Sequence, residues 1–126
     1  MGRRLVLGFV FLWFFTGGLG HFFLTDFFAG IIPPVFPDHR LLVQVSGVFE
    51  LLGAVGILLA RTRSAAGWGL VALTIAVTPA NVFMWRHAAD FPAIPYWSLV
   101  LRLPFQLLLL VGIWWSTRPA GRQGRV

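Results

Sequence analysis

Apolar residues run along this chain in four long blocks, separated by short segments rich in proline, arginine and aspartate. The blocks cover roughly positions 5–24, 41–60, 65–85 and 96–116. Each is about twenty residues long, which at ~1.5 Å per helical residue spans a hydrocarbon core of ~30 Å. The breaks carry turn chemistry: Pro33, Pro34 and Pro37 after the first block, Arg61 to Ser64 after the second, and Asp90, Pro92 and Pro95 after the third. Lipid cannot hydrogen-bond an exposed backbone, so runs of this length are expected to be helices. Short connections make consecutive helices antiparallel neighbours. The expected fold is therefore all-α, a single integral membrane domain over 1–126 arranged as a four-helix up-down bundle. Small residues (Gly17, Gly18 and Gly20; Gly47, Gly53 and Gly56; Ala66 and Gly69) allow close helix approach and leave oligomerisation open.

Composition sharpens this picture. Hydrophobic residues make up 58% of the chain and charged residues 11%, with mean hydropathy +0.83. A soluble domain carries about 25% charged residues, so too little polar material exists here to coat a globule. The net charge of +6 comes from ten arginines that sit mostly at block boundaries rather than along one helix face. A phosphate-binding surface needs such a stripe, so no nucleic-acid partner is expected; the partner is the lipid bilayer. Seven arginines (Arg3, Arg4, Arg61, Arg63, Arg118, Arg122, Arg125) fall at the amino terminus, the middle loop and the tail. The opposite loops hold Arg40 and Arg86 beside Asp26, Asp38 and Asp90. Basic loops stay cytoplasmic, which predicts both termini in the cytoplasm, with a bacterial plasma membrane as the expected location. Trp85, Tyr96 and Trp97 at one edge and Trp68, Trp114 and Trp115 at the other suit interfacial belts. The first block exceeds a 7–15-residue signal core and lacks an A-x-A-like site, so it is expected to stay as a helix. No cysteine occurs, which excludes disulfides, thiol chemistry and cysteine-held metal clusters.

A few polar residues interrupt the apolar blocks. An ionisable group in the bilayer core costs at least about 2.5–3.5 kcal/mol, so each needs a reason. His21, Glu50, Asn81, Arg102 and Gln106 are the candidates, with Ser46 one turn from Glu50. At ~1.5 Å per residue Glu50 lies ~13 Å below the outer surface, Arg102 ~9 Å and Asn81 ~6 Å. All four helices thus bring a polar side chain to the outer half. The natural pairing is Glu50 with Arg102, completed by His21, Asn81 and Gln106, while Pro79 and Pro104 kink their helices and help open a cavity. Inter-helix hydrogen bonding alone is a sufficient reason for Asn81 and Gln106; the ion pair points instead to a site, because buried pairs stabilise poorly. Glu50 and His21 are the candidate catalytic residues, as proton carriers. His21, Ser46, Glu50, Asn81, Arg102 and Gln106 form the candidate ligand-binding set. No metal or haem is expected: His21 is the one histidine placed within the bundle, and His39 and His87 fall in loops. Walker, zincin, nucleophile-elbow and dinucleotide motifs are absent.

Four strings, Gly20-His21-Phe22-Phe23, Ser46 through Gly53, Pro79-Ala80-Asn81-Val82 and Arg102 through Gln106, together resemble the DoxX-like membrane proteins over roughly positions 17–115. The resemblance implies a four-helix membrane bundle. It further implies a link, in some members, to thiosulfate:quinone oxidoreduction or membrane oxidoreductase complexes, and in others to receptor-assembly chaperones. The expected function is a quinone-interacting subunit of a membrane redox complex, with quinone as the cofactor and redox-complex proteins as partners. Arg102, His21, Asn81 or Gln106 would donate to a quinone carbonyl, and Glu50 or His21 would relay protons. The alternatives are a non-enzymatic assembly factor and a binder or transporter of a small amphipathic ligand.

Overall fold

A computed structural model of the chain describes residues 2–119, so the tail arginines Arg122 and Arg125 lie outside the described residues. The helices are α1 (Gly2–Phe23), α2 (Thr25–Gly30), α3 (His39–Leu58), α4 (Arg63–Ala76), α5 (Thr78–Arg86) and α6 (Tyr96–Thr117), with a 3-10 turn at Ala88–Asp90. With α4 and α5 counted as one span, four helices are long and apolar enough to cross a membrane. The protein is an all-α four-helix bundle of the integral membrane kind.

Each span buries one narrow stripe whose members recur every three or four residues, the spacing that keeps side chains on one helix face. On α1 the stripe is Val10, Phe14, Gly18 and His21; on α3 it is Val43, Gly47, Ala54 and Ile57; on α6 it is Leu99, Gln106, Leu109 and Ile113. Leu52, Leu107, Leu108 and Val111 point outward and stay exposed. In water such a surface would aggregate; here it is the lipid-facing coat.

The bundle is square. α1 packs on α3 and α6, and α4 packs on the same two, which leaves α1 and α4 on one diagonal and α3 and α6 on the other. α5 packs on α6 and meets α4 at their junction; α3 and α5 are not a packed pair. The crossing of α1 and α3 is close because two glycines face each other. A Cβ on Gly18 would lie 2.8 Å from Leu51 Cγ, and one on Gly47 would lie 2.8 Å from His21 Cβ. Arg3 donates to the Arg118 carbonyl, so the chain start, the end of α6 and the Arg61–Arg63 loop share one arginine-rich end.

Two apolar clusters fill the interior. Near the arginine-rich end Val10, Phe14, Ala54, Ile57, Leu70, Leu109 and Ile113 pack together. Toward the far end Ile31, Met84 and Leu99 form a smaller cluster with Phe28, Ala80 and Phe91 against it.

Two local features differ from the expected pattern. The third block is two helices, not one, broken at Val77. Pro79 has no N–H for the Ile75 carbonyl, and it is seated instead in the first turn of α5, where its fixed φ suits a helix start. Pro104, by contrast, lies inside an unbroken α6. The segment after α1 is also not a plain connection. α1 ends at Phe23, the chain bends at Leu24, and α2 folds back against α1 and α3. The Thr25 hydroxyl closes the bend by donating to the His21 carbonyl at 2.7 Å.

Candidate functional site

The sequence-predicted polar residues occupy the same inward stripes as the core. On α1, His21 continues the series Val10, Phe14, Gly18; on α3, Ser46 and Glu50 fall between Val43 and Ala54; on α6, Arg102 and Gln106 fall between Leu99 and Leu109. On α1 and α3 they lie beyond the first apolar cluster, toward the far end, and on α6 Arg102 lies between Leu99 of the second cluster and Leu109 of the first. The result is a polar layer sandwiched between two dry ones.

The α1–α3 side of the layer is built on His21. Its Nδ1 lies 3.0 Å from the Val43 carbonyl oxygen and 2.9 Å from Ser46 Oγ, while the Ser46 hydroxyl lies 3.0 Å from the same carbonyl. A carbonyl oxygen only accepts, so this pattern assigns the proton to Nδ1 and turns Nε2 toward Glu50. Glu50 Oε2 stands 3.2 Å from Nε2, with the two side chains only 13% and 11% exposed. The oxygen is within ion-pair distance yet off the axis of the ring nitrogen, and this buried atom accepts no aligned hydrogen bond. Two lone-pair-bearing atoms this close repel unless a proton lies between them. Phe28 of α2 covers the imidazole, with ring centroids 4.5 Å apart.

The α5–α6 side is an amide chain. Asn81 Nδ2 donates to Gln106 Oε1 at 2.7 Å, and Gln106 Nε2 donates to Thr78 Oγ1. The Thr78 hydroxyl in turn donates to the Thr74 carbonyl at 3.2 Å, tying the chain across the α4–α5 break. Arg102, one turn from Gln106, is half-buried, and its Nη1 points to Met84 Sδ at 3.6 Å.

The expected Glu50–Arg102 ion pair is not formed: among the described residues, Glu50 is within 4.0 Å of His21 and no carboxylate is within 4.0 Å of Arg102. The reason is the square arrangement, which sets α3 and α6 on a diagonal, so Glu50 meets its α1 neighbour first. His21, Ser46 and Glu50 are brought together, as are Asn81 and Gln106, but as two groups rather than one. Thr78, Met84 and Phe28 belong to this layer or its cover and were not singled out from the sequence. Thr74, Thr78 and Asn81 repeat at the inward spacing, and that spacing was the available signal. Two apolar surface grooves, about 280 Å³ between α1 and α6 and about 480 Å³ between α3 and α4, border none of the six candidates.

Residues 10–117 match a family model described as a domain of unknown function, DUF8561, a range that contains the whole polar layer. No curated protein and no solved structure matches the chain.

Proposed function

This chain belongs to the DUF8561 family, and from that premise we propose that it binds the polar head of a small membrane-soluble molecule in its interior layer. The observation that carries this reading is the buried Glu50 Oε2, which accepts no aligned hydrogen bond although it lies 3.2 Å from His21 Nε2 on the inward side of α3. Polar groups that serve only as glue between helices satisfy one another, as Asn81 and Gln106 do. Glu50 has only the off-axis contact with His21 and Arg102 only the Met84 thioether, so a ligand head inserted between the two halves would meet a carboxyl and a guanidinium. His21, itself held by Val43 and Ser46, fixes the carboxyl, and the Asn81–Gln106 pair forms the wall beside Arg102's turn of α6. The arginine-rich end faces the cytoplasm on this reading, as basic loops do in a bacterial plasma membrane, and both termini lie on that side.

The His21–Glu50 contact favours a second reading: the molecule is a quinone and the protein a subunit of a membrane redox complex, with that pair supplying a proton as the carbonyl is reduced. The resemblance of the four strings to DoxX-like proteins supports it. Native mass spectrometry of the gently solubilised protein tests the common core of both. Wild type should carry a small-molecule adduct that is lost in Glu50→Gln and in Arg102→Leu. A wild type that carries no small molecule but a stoichiometric protein partner would overturn the reading in favour of an assembly role.

A further inference from the structure

The charge of the layer decides what kind of head it takes. The chain has four acidic residues, Asp26, Asp38, Glu50 and Asp90. The three aspartates are exposed at the far end, where Asp26 is already paired with Arg40. Glu50 is thus the one acid in the interior, and its neighbour is His21, not Arg102. With Nδ1–H committed to Val43, one proton between Oε2 and Nε2 leaves the pair neutral whichever atom carries it: a carboxylic acid on a neutral ring, or a carboxylate on an imidazolium. The pair therefore has no charge to spare. Arg102 keeps its proton under all ordinary conditions, so the layer as a whole is cationic by one unit.

Nor does the guanidinium escape to the interface. Long basic side chains near a helix end usually snorkel outward, but Nη1 of Arg102 rests on Met84 Sδ, a side chain with no exposed surface. A thioether is a weak acceptor and carries no charge. The five donors of the fork match a carboxylate or phosphate, and among the described residues no carboxylate lies within 4.0 Å of them.

We infer that the molecule bound in the layer is an anionic amphiphile, its carboxylate or phosphate head held by Arg102 and its apolar tail left in lipid. The inference rests on the ligand-binding reading above and adds the sign of the head. Retention of labelled probes by the full chain, immobilised in a neutral detergent, tests it. Dodecanoate and dodecyl phosphate should be retained and dodecanol should not. Arg102→Gln should weaken dodecanoate by roughly 10- to 100-fold. Arg102→Lys, which keeps the charge without the fork, should restore part of that loss, and Arg40→Gln at the exposed far end should change nothing. Equal retention of dodecanol, or of a short-tailed quinone, with no effect of Arg102→Gln, would overturn the anionic head while leaving a ligand site standing. Displacement of dodecanoate by inorganic phosphate alone at similar concentration would overturn the amphiphile and leave an anion site. Retention of none of the probes by a protein whose thermal unfolding is intact would sink both readings together.

Discussion

At the scale of single residues, the contact between His21 and Glu50 has an asymmetric consequence. Glu50→Gln keeps the shape of the side chain and offers Nε2 an amide N–H, so the variant should fold with little loss. His21→Ala instead leaves a buried carboxyl beside an empty space, a change of the kind that costs about 3–5 kcal/mol when a buried charge loses its partner. Thermal unfolding in detergent should therefore rank wild type and Glu50→Gln close together and His21→Ala well below; the reverse order would mean that the pair is not the contact described. Ser46→Ala removes the hydroxyl that shares the Val43 carbonyl, and should cost about 0.6–1.7 kcal/mol, the range for inter-helix hydrogen bonds in a bilayer. Much of this layer was legible in the sequence, because burying His21, Glu50, Asn81, Arg102 or Gln106 in lipid has no explanation except an inward direction. Which residue meets which was not legible. Charge alone favours Glu50 with Arg102, but partner choice depends on which helices are adjacent, and sequence spacing carries no information about diagonals. Thr78 escaped notice for a different reason: a lone hydroxyl in an apolar helix can satisfy itself on the preceding turn, as Thr74 does, so only its inward spacing with Thr74 and Asn81 could have marked it.

At the scale of the element, two glycines and one proline set the geometry that the side chains use. Gly47→Leu would drive a branched side chain into His21 and the Gly18 carbonyl, separating α1 from α3 and the imidazole from Glu50. It should destabilise by at least about 1–3 kcal/mol. Gly69→Leu, on the lipid face of α4 with nothing within 4 Å of the new Cβ, should be silent in the same melt. Pro79→Ala returns an N–H to the third span, and α4 should then run on into α5 as one helix. Amide hydrogen exchange over Val77 to Asn81 should slow, and Asn81 should leave Gln106. Unchanged exchange would mean that the break at Val77 is held by tertiary packing rather than by the missing donor. The helix limits were readable to within a few residues for α3 and α6, where arginine or proline marks an end. The α2 helix was not, because its six residues after the end of the first block are too short a run to show a helical period and read as connection.

At the scale of the whole molecule, the arginine-rich end and the aspartate-bearing end are separated by four spans, and the natural absence of cysteine makes their placement directly measurable. A single cysteine at Ser64 should resist a membrane-impermeant maleimide added to intact cells, and one at Asp90 should react; the opposite labelling would invert the orientation proposed above. The square of helices is closed at the arginine-rich half, where α4 touches both α3 and α6. It is not closed in the same way beyond Val77, where α5 leans on α6 and is not packed on α3. On the ligand-binding reading proposed above, the bound molecule enters by that side, from the bilayer rather than from water. A molecule arriving that way has already dissolved in the leaflet, so its driving concentration is a mole fraction among lipids. Doubling the lipid at constant total ligand would then halve occupancy in the dilute limit, while doubling the volume of buffer would leave it unchanged. The binding constant of such a protein is a property of a two-dimensional solution.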